Sequence, residues 1–347
     1  MSFQVSVSPS GRQFQAEIDE TLLAAALRQG IALPYGCKNG ACGSCKGTVL
    51  TGNIVQHQHA ASALSEQEKK AGKALFCSAH AHSDLTIECH EIAHLGNLTA
   101  KKLPSRVVSM QRAADDVMIL QLQLPAGEQL QFLAGQYIDI LLKDGKRRSY
   151  SLAKPPHAQG PIELHIRHTP GGLFTDFVFG TQTQVMKERD ILRFEGPLGS
   201  FFLREDTDKP IVMLASGTGF APIKSIIEHM MQADIQRPIT LYWGGRRPQD
   251  LYLNALCLEW ANTLPYFTYV PVISDAMPQD NWQGRIGFVH QAVLDDLSDL
   301  SGHHVYACGA PIMVDTARAT FTTQAGLPDH DFFADAFISE NDLQAVS

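Results

Sequence analysis

The segment Pro34-Tyr-Gly-Cys-Lys-Asn-Gly-Ala-Cys-Gly-Ser-Cys45 is the most informative stretch of this 347-residue chain. It carries Cys37, Cys42 and Cys45, and a fourth cysteine, Cys77, follows after an interval long enough for a helix. A bare pair of cysteines separated by two residues occurs in several metal and redox motifs, whereas the four-residue gap in front of this pair is far more selective. The pattern predicts that four thiolates gather around one inorganic centre.

The spacing C-x4-C-x2-C with a distant fourth cysteine is typical of proteins that bind a 2Fe-2S cluster. Two tetrahedral irons need thiolates from different directions, and we expect Gly36, Gly40 and Gly43 to let the loop wrap around them by adopting positive φ angles. Zinc usually takes two knuckles of closely spaced cysteines, and no second knuckle surrounds Cys77. We therefore predict a 2Fe-2S cluster rather than zinc or disulfides, with four ligands: Cys37, Cys42, Cys45 and Cys77.

Residues 1–96 resemble plant-type ferredoxins through this motif. The resemblance implies a β-grasp fold, with Cys37 and Cys42 on one iron and Cys45 and Cys77 on the other. Local patterns agree with that fold, because they predict a hairpin, an amphipathic helix, a capping-box helix start and a closing strand. These elements are expected at Phe3–Val7 with Gln13–Ile18, at Thr21–Gln29, at Ser65–Glu68 and at Leu85–Cys89.

Composition and charge exclude several classes of protein. With 44% hydrophobic residues, the chain can bury the cores of two or three globular domains. A formal net charge of −8 and the lack of a basic stripe argue against a nucleic-acid partner. The N-terminal segment has no charged start followed by an apolar core, and no apolar run approaches a membrane span. Because cluster thiolates need a reducing compartment, we expect a soluble cytoplasmic protein.

Two segments separate regions with different patterns. Gly96–Pro104 is polar, basic and ends in proline, which is typical of a linker. Glu205–Lys209 is a short charged run in front of an apolar strand. We therefore predict three domains, over residues 1–96, 97–205 and 206–347.

The middle region, Ser105–Leu203, alternates short strands with Gly and Pro turns, which predicts an antiparallel β-barrel. Within it lies Arg147-Arg-Ser-Tyr-Ser-Leu-Ala153. Arg148 and Tyr150 are two residues apart on a predicted strand and therefore point to the same face. A guanidinium there can grip a pyrophosphate while the tyrosine ring stacks on a planar heterocycle, and the Ser151 hydroxyl is available for a hydrogen bond.

Two further motifs follow in the middle region. Gly171-Gly-Leu-Phe-Thr175 lies at an apparent helix start, where exposed N–H groups suit a phosphate, and Gly196-Pro-Leu-Gly199 closes the region. R-x-Y-S, a small-residue helix start and G-P-x-G in this order resemble the flavin domain of the ferredoxin–NADP reductase superfamily. The resemblance implies FAD, with Tyr150 against the isoalloxazine and Ser151 near its N5. It also implies a pyrophosphate near four residues: Arg148, Gly171, Gly172 and Thr175.

The last region begins with an apolar strand, a glycine turn and a helical stretch, at Pro210–Ser216, Gly217-Thr-Gly-Phe-Ala-Pro222 and Ile223–Met231. This order forms the phosphate-binding geometry of nucleotide folds, although a proline stands where the third glycine of the general fingerprint would be. We take Gly217, Thr218, Gly219 and Pro222 as cofactor-binding candidates. Further apolar strands alternate with helical segments and predict a parallel α/β sheet. These strands are expected at Ile239–Trp243, Phe267–Ile273 and His304–Cys308.

Tyr306-Ala-Cys-Gly-Ala-Pro-Ile-Met313 ends one of these strands, and ligands bind at the carboxyl ends of parallel strands. On composition alone Cys308 would be a small core residue. However, G-T-G-x-A-P followed at this distance by C-G-x-P-x-M again resembles the ferredoxin–NADP reductase superfamily. That resemblance implies that Cys308 and Gly309 lie beside the nicotinamide carbon that donates hydride.

The adenosine half of the nucleotide is expected after the second strand, at Gly244-Gly-Arg-Arg-Pro-Gln-Asp250. Asp250 suits ribose hydroxyls, whereas Arg246 and Arg247 suit a 2′-phosphate, so the choice between NADH and NADPH stays open with NADH slightly favoured by the resemblance. Gly244 lies at the strand end.

Near the C-terminus, Phe333-Ala-Asp-Ala-Phe337 resembles the ending of oxygenase reductases. That resemblance implies that Asp335 and Phe337 lie near the flavin, and plain core packing is the alternative for Phe337. We name three candidate catalytic residues: Ser151, Cys308 and Asp335.

Together these patterns predict a multi-domain α/β reductase with a β-grasp 2Fe-2S domain, an FAD-binding β-barrel and a parallel NAD(P)H-binding domain. The whole chain resembles the ferredoxin-first reductases that feed electrons to a separate oxygenase or dehydratase, and we predict that function. One alternative is a stand-alone NAD(P)H reductase of free flavins, ferric chelates or quinones. Another is a non-enzymatic scaffold with a zinc-stabilised loop.

Overall fold

The computed structural model describes residues 1–61, 63–92, 98–181 and 184–337. By its internal contacts the chain divides into two compact units. The first unit comprises the described parts of Met1–Thr99 together with Gly199–Phe201 and residues 335–337. The second unit comprises the described parts of Ala100–Leu198 and Phe202–Ala334.

The first unit is a small mixed sheet with two short helices. Its strands are β1 (Ser2–Ser8), β2 (Gln13–Glu17), β3 (Lys46–Thr51), β4 (Ile54–Gln56), β5 (Lys73–Leu75), β6 (Ala79–Ala81) and β7 (Leu85–Glu88). Its helices are α1 (Leu22–Arg28) and α2 (Glu66–Lys70). The main sheet has the order β2-β1-β7-β3-β5, and β4 pairs with β6.

The hydrophobic alternation read from the sequence explains this sheet. Val5 and Val7 of β1 and Phe14 of β2 are buried, so one face of the predicted hairpin packs into the core. β1 pairs antiparallel with β2 and parallel with β7, which gives the predicted β-grasp arrangement. Thr21 caps α1, and Ser65 with Glu68 forms the predicted capping box at α2.

The second unit begins with a six-stranded antiparallel barrel and one helix. These are β8 (Lys101–Ala114), β9 (Val117–Gln123), β10 (Tyr137–Leu141), β11 (Arg147–Ser151), β12 (Ile162–Arg167), β13 (Ile191–Leu198) and α3 (Leu173–Phe179). The strand order is β11-β10-β13-β8-β9-β12, and a bridge between Leu152 and Leu164 joins the two edges. This closure confirms the predicted barrel.

The predicted linker Gly96–Pro104 is shorter than expected. Residues 96 and 97 lie outside the described part of the chain, and β8 already begins at Lys101. Strand pairing with β13 extends through Pro104, which lies opposite Arg193. Pairing with a neighbouring strand therefore overrides the linker-like composition.

The second unit continues as a parallel α/β sheet. Its strands are β14 (Ile211–Ser216), β15 (Ile239–Gly245), β16 (Phe267–Ile273), β17 (Arg285–Ile286), β18 (His304–Gly309) and β19 (Phe332–Ala336), and the last two residues of β19 are assigned to the first unit. Its helices are α4 (Phe220–Gln232), α5 (Asn254–Thr263), α6 (Val289–Asp296) and α7 (Pro311–Gln324). The order β17-β16-β15-β14-β18-β19 brings the ends of β14, β15 and β18 together.

Helix α4 begins at Phe220, three residues before the predicted helical stretch at Ile223. Pro222 therefore lies in the first turn, where its missing N–H removes no intrahelical hydrogen bond. None of the helices in the described ranges is both long and apolar enough to cross a bilayer.

Candidate functional site

The four motif cysteines form two pairs in the first unit. Cys37 and Cys42 each donate a backbone N–H to the sulfur of the other, and the thiols of Cys45 and Cys77 interact in the same way as those of Cys37 and Cys42. Interaction with Cys37 lowers the pKa of Cys42 to about 6, and interaction with Cys45 lowers the pKa of Cys77. Four sulfurs gathered as two neighbouring pairs are the donor set that a two-iron centre requires.

Backbone N–H groups of the loop point at these sulfurs. The Cys37 N–H donates to Cys42 Sγ and the Cys42 N–H donates to Cys37 Sγ, both at 3.3 Å, while the Gly40 N–H donates to Cys77 Sγ at 3.2 Å. Such donors stabilise negative charge on sulfur and thereby tune the potential of a bound cluster. The loop therefore fits an anionic iron–sulfur group.

The backbone of this loop bends where the sequence predicts it, with one correction. Gly40 and Gly43 adopt φ of 77° and 74°, but the third positive φ, 61°, belongs to Lys38 and not to Gly36. Gly36 is small for another reason, because a Cβ there would lie 3.2 Å from Cys42 Sγ and 3.6 Å from Asp335 Oδ1. The expectation of a positive φ at Gly36 is wrong, and close packing against Cys42 Sγ explains the glycine.

Two residues far away in sequence also contact the start of the cluster loop. Ser200 Oγ accepts a hydrogen bond from Tyr35 N at 2.9 Å and donates to Tyr35 O at 2.8 Å. Asp335 is buried beside Gly36, and burial together with the charge of Cys42 raises its pKa to about 7. Sequence reasoning missed Ser200, and its only signal was its place directly after the G-P-x-G motif.

The flavin-binding candidates lie at the end of barrel strand β11. Tyr150 is partly buried against Phe174 with ring centroids 5.5 Å apart, and Arg148 is also partly buried. The Ser151 side chain is 4% exposed, and its Oγ has no hydrogen-bond partner among the described residues. A buried hydroxyl without a partner is costly, so this position fits a cofactor that supplies the missing hydrogen bond.

The loop before α3 is held by its own threonines. Thr175 Oγ1 donates to Thr169 O at 2.8 Å and accepts from Thr169 N at 3.2 Å. A Cβ on Gly172 would lie 2.6 Å from Thr175 Oγ1, so only glycine fits there. Gly171 adopts a φ of 82°. The Thr175 hydroxyl therefore donates its proton within the loop and closes it. One lone pair of Thr175 Oγ1 remains available to accept a further hydrogen bond.

The two nucleotide motifs of the sequence meet in space. A Cβ on Gly219 would collide with the Cys308 carbonyl oxygen and lie 2.8 Å from Gly309 Cα. Gly309 has a φ of 133°, and a Cβ there would lie 2.6 Å from Ser216 O. The Ala310 N–H donates to Ser216 Oγ at 2.8 Å. The turn at Gly217–Gly219, where Thr218 is buried, is therefore pressed against the Cys308–Gly309 turn at the ends of β14 and β18.

Two aromatic side chains hold the Gly217–Gly219 turn in place. The rings of Phe220 and Trp243 stack with centroids 4.0 Å apart, and Trp243 Nε1 donates to Gly217 O at 3.1 Å. Gly244 follows directly, and a Cβ there would lie 2.7 Å from Val289. The ends of β14 and β15 are thus rigidly joined.

The residues after β15 are already engaged with one another. Asp250 Oδ2 accepts hydrogen bonds from the backbone N–H groups of Arg246 at 2.7 Å and Arg247 at 3.1 Å. Arg247 forms a bidentate pair with Asp280, with Nε to Oδ2 at 2.9 Å. Asp280 was missed at the sequence level, although Pro278-Gln-Asp280 repeats the tripeptide Pro248-Gln-Asp250.

Phe337, the last candidate, has 36% of its surface exposed.

Within the described ranges, no three His, Cys, Asp or Glu side chains converge on the position of a single metal ion. The motif cysteines instead lie in pairs, which is how a two-iron cluster takes its protein ligands.

Comparison with known proteins matches three family models along the chain. The 2Fe-2S iron-sulfur cluster binding domain matches residues 5–82, the oxidoreductase FAD-binding domain 104–203 and the oxidoreductase NAD-binding domain 213–319.

Relatives match over nearly the full length. The CDP-6-deoxy-L-threo-D-glycero-4-hexulose-3-dehydrase reductase of Yersinia pseudotuberculosis is 40% identical over 338 residues, covering 97% of this chain and 99% of the relative. Terephthalate 1,2-dioxygenase, reductase component 2, of Comamonas sp. is 39% identical over 339 residues, covering 97% and 98%. The crystal structure of Amycolatopsis cytochrome P450 reductase GcoB aligns with a TM-score of 0.75 and 33% identity, covering 96% and 98%.

These matches agree with the predicted order of cluster, flavin and nucleotide domains. The chain is therefore an oxidoreductase of the ferredoxin–NADP reductase superfamily, and it belongs to the family of iron–sulfur flavoprotein reductases that join a 2Fe-2S domain, an FAD-binding domain and an NAD-binding domain in one polypeptide.

Proposed function

We propose that this protein takes hydride from NAD(P)H and delivers single electrons to a separate redox protein. When bound, FAD accepts the hydride as an electron pair and the 2Fe-2S cluster passes electrons on one at a time. The observation that carries the proposal is that four cysteines, gathered as two pairs, occur in the same chain as an FAD-binding domain and an NAD-binding domain. A reductase acting only on two-electron acceptors has no need of that loop.

For the cluster, we propose Cys37 with Cys42 as ligands of one iron and Cys45 with Cys77 as ligands of the other. The interaction between the two thiols of each pair supports this division. The N–H groups that point at sulfur supply the second layer of stabilisation.

For FAD, we propose that Tyr150 stacks on the ring system and that Ser151 Oγ hydrogen-bonds near its reactive nitrogen. The buried, unpartnered state of that hydroxyl supports the assignment. Arg148 and the turn of Gly171, Gly172 and Thr175 complete the proposed pyrophosphate site. Asp335 and Phe337 are proposed to lie near the flavin, and the raised pKa of Asp335 suits a group that can hold a proton.

For the nucleotide, we propose that the N-terminal turn of α4 binds the pyrophosphate and that the Cys308–Gly309 turn lies beside the nicotinamide. The close approach of the two turns supports this arrangement. The residues involved are Gly217, Thr218, Gly219, Pro222, Cys308 and Gly309, with Gly244, Arg246 and Asp250 at the adenosine half.

We propose NADH as the preferred donor. A 2′-phosphate needs a cation, and the guanidinium of Arg247 already donates two hydrogen bonds to the Asp280 carboxylate, from Nε and from Nη2. Asp250 is held by backbone N–H groups at the same turn and adds negative charge. Asp280→Asn frees Arg247, and we expect it to raise kcat/KM for NADPH relative to NADH by about fivefold.

The proposed acceptor is the terminal component of an oxygenase or dehydratase system. Relatives named as a dehydrase reductase and as a dioxygenase reductase component support this class of partner. We place this activity in the cytoplasm, because a reducing compartment keeps the cluster thiols from forming disulfides.

The test is a spectrum, a metal analysis and an acceptor assay on the purified protein. We expect flavin and iron–sulfur absorbance, two irons per chain and rapid NADH-dependent reduction of cytochrome c. A colourless protein that contains zinc contradicts the proposal. Fast turnover with free flavin, ferric chelates or quinones, combined with no transfer to cytochrome c, supports the stand-alone reductase instead.

A further inference from the structure

One face of barrel strand β12 is buried against the nucleotide-binding half of the second unit. Glu163, His165 and Arg167 alternate along the strand and therefore point to the same side. Glu163 is 7% exposed and His165 is 4% exposed. Charged and polar groups on the outside of a barrel are normally solvated, so their burial here calls for a physical reason.

His165 connects the strand to Tyr252, which follows the predicted adenosine turn. Its Nε2 lies 3.1 Å from Glu163 Oε1, and its Nδ1 lies 2.7 Å from Tyr252 Oη. A carboxylate only accepts, so Nε2 carries the hydrogen and Nδ1 accepts from the tyrosine hydroxyl. Burial lowers the pKa of His165, which keeps the ring neutral in this arrangement.

Glu163 and Lys224 form the centre of the same network. Lys224 Nζ lies 3.2 Å from Glu163 Oε1 and 2.8 Å from Glu228 Oε1. Burial alone would raise the pKa of Glu163, but the hydrogen bond from His165 and the charge of Lys224 lower it to about 2. The carboxylate is therefore charged at neutral pH.

Helix α4 is hydrogen-bonded to the backbone that follows β11, the strand that carries the flavin-binding candidates. Lys224 Nζ donates to Ala153 O at 3.0 Å, and Ser225 Oγ donates to Lys154 O at 2.7 Å. These carbonyls lie two and three residues after Ser151. The helix that begins at the nucleotide turn is thus hydrogen-bonded to the backbone that carries the flavin-binding serine.

Arg167 extends the contact to the nucleotide turn itself. Its Nε pairs with Asp116 at 2.7 Å, and its Nη1 would lie 2.7 Å from a Cβ on Gly217. The three alternating residues of β12 therefore meet three elements of the nucleotide half: α4, the segment around Tyr252 and the glycine turn.

Stability alone does not explain a buried ion pair at this interface. Desolvating two charges costs several kcal/mol for each, and well-packed apolar residues often stabilise a fold as well or better. Apolar surfaces, however, slide over one another, whereas satisfied hydrogen bonds fix both distance and angle. Hydride transfer needs the reacting atoms about 3 to 3.5 Å apart, so orientation matters most at this interface.

We propose that Glu163, His165 and Lys224 are positioning residues for hydride transfer. They would fix the nucleotide half relative to the flavin strand, so that a bound nicotinamide could pass its C4 hydride, with both electrons of the C4–H bond, to a bound flavin. The nicotinamide would be oxidised and the flavin reduced by that one electron pair. This inference rests on the proposed function.

The experiment is anaerobic stopped-flow of the holoenzyme with NADH and with NADH deuterated at C4. Lys224→Met keeps the length of the side chain but removes the ammonium, and Tyr252→Phe removes a single hydroxyl. Lys209→Met is the matched control, because it breaks another ion pair of the second unit, Lys209 with the buried Asp331 at 2.7 Å.

We expect Lys224→Met to slow flavin reduction at saturating NADH by at least about tenfold, and Tyr252→Phe by about threefold. The deuterium isotope effect should rise in both, while the Kd for NADH, the FAD content and the electron paramagnetic resonance signal of the chemically reduced cluster stay unchanged. Lys209→Met should lower Tm yet keep the rate within about twofold.

Flavin reduction within about twofold of wild type in Lys224→Met, with an unchanged isotope effect, would overturn the inference even if Tm falls. If Lys224→Met does not retain FAD, Tyr252→Phe decides: a normal rate and isotope effect overturn the inference, and a slowed rate with a raised isotope effect supports it. Failure of the wild-type flavin to be reduced by NADH or NADPH contradicts the proposed function itself.

Discussion

The cluster loop and the flavin–nicotinamide region obtain their geometry from contacts of different range. In the loop, the backbone N–H groups of Cys37, Cys42 and Gly40 donate hydrogen bonds to sulfurs. Three of the four ligand candidates lie within the single segment 37–45. In the second unit, Ser151 and Cys308 lie on separate domains that are joined by buried side chains. A local loop can be read from a motif, whereas an interdomain geometry cannot.

The difference also predicts how each region fails. A loop built on backbone donors should lose function when a ligand is removed and tolerate most other changes. A site assembled from two domains should be sensitive to small shifts at many positions, because the reacting atoms must meet at close range. The following substitutions test this contrast.

The largest effect is expected from Cys42→Ser, which removes one sulfur of the first pair. We expect loss of the cluster and a fall of about 10³-fold in NADH–cytochrome c activity, because single electrons then have no route to a protein acceptor. NADH–ferricyanide activity should stay within about twofold. Cys89→Ala, which changes a buried thiol outside the motif, is the control and should keep the cluster.

Loss of both activities in Cys42→Ser, with flavin and fold retained, would contradict the proposed order of electron flow. It would also remove the contrast between the regions, since the two sites would then depend on each other.

Gly219→Ala should disrupt the hydride side nearly as strongly. Its Cβ would collide with the Cys308 carbonyl and must push apart the two nucleotide turns. We expect flavin reduction by NADH to fall by about 30- to 100-fold in stopped-flow assays, with a raised Kd for NADH. Gly302→Ala is the control, because nothing lies within 4 Å of a Cβ at that position. Normal NADH kinetics in Gly219→Ala would show that the turns need not touch.

Ser151→Ala should have effects of opposite sign with and without flavin. In FAD-free protein the substitution removes a buried hydroxyl without a partner, so we expect stability to rise by about 1 kcal/mol. In the holoenzyme we expect flavin reduction to slow by about tenfold, because a hydrogen bond to the cofactor is lost. Thermal melts of both forms and stopped-flow rates check this. A lower Tm in the FAD-free form would mean that Ser151 already has a partner.

Ser200→Ala should have the smallest effect, and it sharpens the contrast by testing the long-range contact of the cluster loop. The substitution removes two hydrogen bonds to the backbone of Tyr35, together worth about 1 to 2 kcal/mol. We expect cytochrome c reduction to fall by about threefold with unchanged ferricyanide activity. Ser10→Ala, at an exposed position, should change neither. An altered ferricyanide rate would argue against a local role.

Particular residues show how far sequence reasoning reaches. The hairpin of β1 and β2 and the strands β14, β15, β16 and β18 were predicted to within two residues at each end, because burial on one or both faces imposes a clear hydrophobic pattern. The linker was misjudged at Lys101–Pro104, since strand pairing with β13 is invisible in the composition. Helix α4 starts before its predicted point because Pro222 is tolerated in the first turn.

The candidate site divides in the same way. Motif spacing pointed to the cysteine loop and to the turns at Gly217–Gly219 and Cys308–Gly309, which the structure brings close together. It missed Glu163, His165 and Lys224, which are joined across the barrel and the nucleotide half by the contacts of Glu163 with Lys224 and of His165 with Tyr252. It also missed Asp280, which forms a bidentate ion pair with Arg247.

The domain order and the cofactor classes can be read from the chain alone, since short-range spacing dictates backbone turns and hydrophobic period dictates strands and helices. Three features emerge only in the folded protein: which charged groups are neutralised, which hydroxyl is left without a partner and which side chains join the flavin strand to the nucleotide helix. The reason is physical. Burial and hydrogen bonding depend on distances between residues far apart in the chain, and no local pattern encodes those distances.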